Sequence, residues 1–352
     1  MSQSSFEEQV KGLGVTVKYG ARIATPEQPR RNLSQIGSEK WLTHWAKHSH
    51  QNYHLVSKSA GVRFLAGACT GLPAFVVGAG ASLDQDVEAL KDAKDRAVVI
   101  AVDASYRALV ANGITPDVVI TFDCKPEQQL LWESAPPHDT TMLFNTCSSP
   151  EAIKSWRGPI AFYNHFHTSD EFSKTILPAV YPHIGQIPSC GTVGNMAVFL
   201  AKLLGCTQTM LVGMDLCFGS AEKRSEKGWL YRARDYKLVD AEEMASGKKW
   251  VRTEVKVLYD NDDRVKRSYK VSWKGKDFQV DPELDFYHET LLRFIKHYKI
   301  EAINCSENGR LQADMPSMSV SQCLETFCKS TIQAGRHVLP YLGTILKDPR
   351  SK

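Results

Sequence analysis

The sequence predicts an α/β fold, a mostly parallel sheet with helices on both faces. Three observations predict it. Short apolar runs alternate with amphipathic ones from Ala74 to Val212. Some apolar runs, such as AVVIAV over 97–102, are almost unbroken, as strands buried on both faces require. The runs end on polar residues or glycines, and the carboxyl ends of such strands are where ligands bind.

Residues 1–70 are polar and aromatic-rich, and their apolar positions place a helix over 36–65. This stretch carries His44, His48, His50 and His54; no neighbouring Cys or carboxylate completes a metal site, so they read as solvated or packed side chains. The stretch Pro73–Asp84 (PAFVVGAGASLD) organises the rest of the chain. It predicts a strand over 74–78, a tight Gly78-Ala79-Gly80 turn and a helix starting at Ser82. Gly78 and Gly80 remove the side chains that would keep a ligand off the backbone. The unpaired N–H groups of the helix start, with Ser82, make a place for an anion.

The alternation continues through a helix at 83–93, a strand at 97–102 ending on Asp103, and a helix at 106–111 stopped by Asn112-Gly113. A strand at 118–122 ends on Asp123. Strands at 142–145 and 160–163 end on Asn145 and on Asn164-His165. After a short helix at 171–177, SCGTVGN (189–195) forms a second Gly-bearing loop before an apolar helix at 196–204. The strand at 209–212 ends on Gly213-Met214-Asp215. Asp103, Asp123, Asn145, His165 and Asp215 are therefore predicted to face one crevice at the carboxyl edge.

Residues 219–280 break the pattern. Segments 249–259 and 265–273 each alternate, with Asp260-Asn261-Asp262-Asp263 between them, which predicts one β-hairpin inserted beside the crevice. A helix at 283–298, a last strand at 302–304 and one or two helices over 320–347 complete the chain. The predicted organisation is a helical segment (1–70), a Rossmann-like core (71–218, completed by 283–315), the hairpin insertion (219–282) and a helical end (316–352).

Composition excludes several classes. The net charge of +4 on 352 residues, with no block of like charge, gives no reason to expect nucleic acid. Nine cysteines without a CxxC pair fit reduced, buried thiols of a cytoplasmic protein. MSQSSFEEQV has no apolar signal core. Residues 64–81 are uncharged, yet four glycines and Pro73 interrupt them, so no membrane span is expected. The first loop is not a P-loop, since no Gly-Lys-Ser/Thr comes after it. It is not a dinucleotide fingerprint either, because Leu83 stands where the third glycine belongs. No GxSxG elbow occurs, and His165-x-His167 is too short to claim a metal.

GAGASLD, AVDASYRALVANGITPDVVITFD and GTVGNMAVFLAKLLGCTQTMLVGMDLCFG, in that order, resemble the MptE-like domain family. INCSENGR at 303–310 is similar to a later segment of that family, with Asn308 where glycine is usual. The resemblance covers roughly residues 73–220 and 285–315. The family includes motility-associated factor (Maf) glycosyltransferases that modify flagellin and archaeal 6-hydroxymethylpterin diphosphokinases. It has a distant similarity to bacterial sialyltransferases that use a CMP-activated sugar.

The resemblance implies Gly78, Gly80 and Ser82 at the nucleotide phosphate, and Asp103, Asp123 and Asn145 lining the nucleotide or sugar. It places Gly191, Thr192, Gly194 and Asn195 around the donor. Asp215, His165 and Glu307 are the candidates for the catalytic base. The activity it implies is transfer of a nonulosonic acid (sialic, pseudaminic or legionaminic type) from its CMP form to Ser/Thr of a protein such as flagellin, without a certain cofactor. The alternatives are an ATP-dependent pterin diphosphokinase, with Mg2+ held by Asp103, Asp123 and Asp215, or a nucleotide-binding protein without turnover. Maf proteins are longer than this chain.

Overall fold

Helix α1 (Leu33–Val56) leads through a 3-10 turn (Val62–Leu65) to β1 (Ala74–Val77), α2 (Leu83–Leu90), β2 (Val98–Val102), α3 (Asp103–Ala111) and β3 (Val118–Ile120). Then come β4 (Thr141–Asn145), α4 (Pro150–Ser155), β5 (Ile160–Phe166), α5 (Leu177–Val180), β6 (Gln186–Pro188), α6 (Val193–Leu203) and β7 (Gln208–Val212). Four short strands come next, β8 (Asp235–Leu238), β9 (Trp250–Thr253), β10 (Tyr269–Trp273) and β11 (Lys276–Val280). The order closes with α7 (Pro282–Tyr298), β12 (Glu301–Asn304) and α8 (Val320–Phe327). This computed structural model describes residues 33–132, 139–167, 170–217, 235–238, 250–253, 269–273, 276–306 and 309–331.

Eight strands form one sheet in the order β12-β7-β1-β2-β3-β4-β5-β6, and every neighbouring pair in it is parallel. Apolar runs buried on both faces explain the fully buried β1 and β2. The chain lays β2 to β6 outward from β1, then returns through α6 to place β7 on β1's other side. Strand order therefore reverses between β1 and β7, the point at which doubly wound sheets open a crevice. Helix α6, apolar nearly all round, is buried against β1 and β2 and carries α7 on its outer side.

The structure departs from the sequence reading at three places. The helix predicted over 36–65 ends at Val56, because residues 60–63 dock on the sheet: Phe162 N–H donates to Ala60 O (2.9 Å) and Arg63 N–H to Ile184 O (3.0 Å). A Cβ on Gly61 would lie 2.2 Å from Ile184 O, so only glycine passes there. Strand β6 lies in a stretch to which the sequence reading gave no element; three residues ending in Pro188 suit a sheet edge. The single predicted hairpin is replaced by two. Trp250–Thr253 pairs back with Asp235–Leu238, and Tyr269–Trp273 pairs forward with Lys276–Val280. The 260–263 turn cluster lies outside the described residues. Of the predicted 320–347 helices, α8 is described, with a capping box between Ser319 and Gln322; residues from 332 onward, like 1–32, are not described. No helix among the described residues is long and apolar enough to cross a membrane.

Candidate functional site

The polar residues of the carboxyl edge fall into two groups. The first lies at the switch point. Beyond β1, Gly78 N–H donates to Val212 O (2.8 Å) and Gly80 N–H to Gly213 O (2.7 Å), so the β1–β7 ladder runs on into both loops. A Cβ on Gly78 would lie 2.5 Å from Gly213 O, and one on Gly80 would lie 2.6 Å from the Asp215 carboxyl carbon. Gly213 (φ +64) closes the contact from its side, 2.6 Å from Gly78 O for an added Cβ.

Asp215 then reaches across to the start of α2. Ser82 N–H donates to its Oδ2 (3.0 Å) and Ser82 Oγ–H to its Oδ1 (2.5 Å), with further donors at Ala81 N and Ser306 Oγ. Ser306 Oγ also accepts from Met214 N–H (3.1 Å), and Arg310 N–H donates to Asp215 O (2.8 Å). Burial raises the pKa of Asp215 while these donors oppose the rise.

The N–H groups of residues 78, 80 and 82, expected at a phosphate, are directed to Val212 O, Gly213 O and the Asp215 carboxylate. The glycines are required by the approach of two backbones. Asp215, expected as a candidate base, ties the two loops together.

The second group spans β2 to β5. Asp103, the first residue of α3, is buried: Oδ1 accepts from Ala104 N–H (2.7 Å), Oδ2 from Thr121 Oγ1 (2.6 Å) and Gln128 Nε2 (2.9 Å). Burial is the largest influence on its carboxyl and raises the pKa, with Asp123 nearby adding to the rise. Gln128 and Thr121 are also bonded to each other. Tyr163 Oη donates to Thr121 O (2.6 Å), and Asn145 lies at the same hydroxyl. Asn145, fully buried, faces His165 at 3.0 Å from Nδ2 to Nδ1 and accepts Cys147 N–H on Oδ1 (2.8 Å). The His165 ring is packed between Trp45 of α1 (4.5 Å) and Phe122 (5.5 Å), and burial pulls its pKa down to about 3. Asp123 is exposed at the rim.

The second Gly-bearing loop starts α6 beside the switch point, where a Cβ on Gly194 would meet Met214 Sδ at 2.7 Å. Gly191 (φ +86) lies against the rings of Phe286 and Tyr287. Thr192 is the N-cap, and no side chain caps this helix end. Asn195 spends its amide hydrogens on Cys190 O and Tyr287 O (2.9 Å each), fixing the loop to α7.

Thus Asp103, Asn145 and His165 are brought into one network, Asp215 belongs to the other group, and Glu307 lies outside the described residues. Sequence reasoning missed Trp45, Thr121 and Gln128. It also missed the buried Arg310–Asp285 (2.6 Å) and His288–Asp314 (2.8 Å) pairs under α7. Arg310 closes the INCSENGR segment, where an arginine among polar residues signals nothing until β12 and α7 are placed. No three His, Cys, Asp or Glu side chains among the described residues form a metal-holding group. The oxygens of Asp103 and Asp215 face protein donors, so these two of the three acids assigned to Mg2+ do not fit that ion as they stand.

Residues 47–221 match the model of a family described as 6-hydroxymethylpterin diphosphokinase MptE-like. The chain carries an MptE-like domain. This domain takes in both polar groups except Trp45 and the residues that β12 and α7 bring to them. Among solved structures, a Maf glycosyltransferase from Magnetospirillum magneticum AMB-1 matches with a TM-score of 0.57 at 18% identity, over 90% of this chain and 46% of that one. The chain thus spans less than half of that protein's length, and the likeness is one of fold. No curated protein sequence matches.

Proposed function

We propose that this MptE-like protein is a glycosyltransferase whose donor is a CMP-activated nonulosonic acid and whose acceptor is a Ser/Thr hydroxyl of a protein such as flagellin. The observation that carries the reading is the start of α6: a helix N-terminus without a side-chain cap, packed on Met214 at the switch point. The likeness to a Maf glycosyltransferase over 90% of the chain supports it.

In this reading the donor phosphate sits on the N–H groups of the α6 start, beside the exposed Gly191, with Asn195 holding the loop still. The bond between the anomeric carbon and the phosphate oxygen breaks, and CMP leaves with the electron pair. Developing charge on the phosphate is stabilised by donors already in place. The acceptor oxygen bonds to the anomeric carbon and its proton passes to a carboxylate. With Asp215 tied to Ser82, Asp123, exposed in the loop beyond β3, is our choice for that base. Asp103 and Asn145 line the donor pocket. The diphosphokinase reading has the family description behind it, but it needs carboxylates that converge across phosphates.

Thermal stabilisation separates the two. CMP or CMP-N-acetylneuraminic acid should raise Tm without added metal. Protection by ATP with magnesium alone would overturn the proposal in favour of the kinase. Indifference to every nucleotide would overturn it in favour of a protein without turnover.

A further inference from the structure

His165 carries a hydrogen-bonding group that the fold leaves unspent. It is the penultimate residue of β5, aligned with Ile187 of β6, and its side chain is only 1% exposed. The Asn145 side chain faces Nδ1 with both ends, Nδ2 at 3.0 Å and Oδ1 at 3.3 Å. Oδ1 already accepts Cys147 N–H at 2.8 Å, so Nδ2 is the nearer and less engaged partner. With Nδ2–H as the donor, Nδ1 accepts and the proton resides on Nε2.

Nε2 has no hydrogen-bond partner among the described residues. Asp170 Oδ2 stands 3.9 Å away, beyond hydrogen-bond reach, and receives Ser173 N–H at 3.3 Å. Native structures seldom leave a buried N–H without an acceptor, and an exception calls for an explanation, a bound group or an internal water among them. The same network holds a second unspent atom of opposite character. Gln128 Oε1 is buried and unpartnered among the described residues, although its amide nitrogen is engaged by Asp103. A hydroxyl oxygen, which accepts as well as gives, suits the open position at His165 Nε2. An anionic oxygen on Nε2 would instead sit beside the Asp170 carboxylate.

We propose that His165 Nε2–H donates to a hydroxyl oxygen of the bound nucleotide-sugar, with Asn145 as the positioning residue that keeps the proton on Nε2. This rests on the glycosyl-transfer reading. In that tautomer His165 is not the base, since its accepting nitrogen faces Asn145. The Trp45 ring that covers it must yield as the ligand seats.

Histidine-selective 15N labelling of the full chain tests this. The free protein should show His165 as the Nε2–H tautomer, and saturation with CMP-N-acetylneuraminic acid should move that resonance. CMP alone then tells a ribose hydroxyl from one on the transferred sugar. His165→Phe should weaken binding of the CMP-sugar about tenfold, the size of one neutral hydrogen bond, and His165→Gln should recover part of it. An Nδ1–H tautomer overturns the proposal. So does an Nε2–H resonance unmoved by a CMP-sugar that does bind, the sign of an internal water, and the glycosyl-transfer reading then survives. If neither CMP nor the CMP-sugar binds, that reading fails and takes the proposal with it.

Discussion

The two polar groups at the carboxyl edge differ in how their hydrogen bonds are spent. At the β1–β7 switch point, Gly78, Gly80 and Ser82 give their N–H groups to Val212, Gly213 and Asp215, and the Asp215 carboxylate is surrounded by donors. Between β2 and β5, Asp103 is equally well held, yet His165 Nε2 and Gln128 Oε1 have no partner among the described residues. A saturated group is a clasp; one with buried atoms unspent is a place for a ligand. The most ligand-like sequence in the chain, GAGAS, is the one whose N–H groups are spent within the protein.

The strongest way to break this comparison is to add a side chain where two backbones meet. Gly80→Val puts atoms within 2.7 Å of Gly213 O and Asp215 Oδ2. Backbone cannot give way as a flexible side chain would, and overpacking of this kind costs about 1–3 kcal/mol or more. Separating Asp215 from Ser82 leaves a buried carboxylate short of donors, for a further ~1–3 kcal/mol. The expected result in denaturant unfolding is a loss of several kcal/mol, enough to threaten the fold. Near-native stability would show that the loops part easily and that the clasp is open to a ligand.

A pH titration probes the other group. The folded-state pKa of His165 is depressed to about 3 by burial, with His167 a smaller cause and the Asp170 carboxylate 3.9 Å from Nε2. Below roughly pH 6.5 the unfolded chain takes a proton on this histidine that the folded chain refuses. Stability from this group is therefore present above that pH and is lost as pH falls toward 3. Across pH 6.5 to 4.5 the loss is about 2–3 kcal/mol from this residue. His165→Phe should flatten the acid limb by about one proton relative to the parent, whatever it does to stability at neutral pH. An unchanged slope would mean that the ring is solvated, and the contrast between the two groups would weaken.

Much of this arrangement was legible in the sequence. Unbroken apolar runs announced a sheet buried on both faces, and polar run ends located its carboxyl edge. What failed was partner choice. The turn at 78–82 has the composition of an anion cradle because a carboxylate does bind there, but the carboxylate is Asp215, 133 residues away along the chain. Local pattern reports that a helix start wants an anion, not whose anion it is. The alternating segments 250–253 and 269–273 read correctly as strands and were paired with each other, since period-two patterning carries no record of the partner. Trp45 and Gln128 were invisible for the same reason. Nothing in a polar amphipathic helix or a short 3-10 turn says that it will close over His165 or hold Asp103.

The smallest expected effect discriminates most sharply. Ser82→Ala deletes one of the donors to Asp215, the 2.5 Å hydroxyl contact, and leaves the 3.0 Å backbone N–H in place. Losing a hydrogen bond to a charged group costs about 1.5–3 kcal/mol, and the remaining donors hold the effect near the lower figure. If the loop is a clasp, Tm falls by a few degrees while the additional shift produced by saturating CMP stays the same, because the mutation acts on free and bound protein alike. If the phosphate displaces Asp215 and takes its place on Ser82, the lost hydroxyl is lost to the ligand as well, and the CMP-dependent shift shrinks. Measuring both shifts on one variant thus separates an internal carboxylate that belongs to the fold from one that merely keeps a ligand's seat.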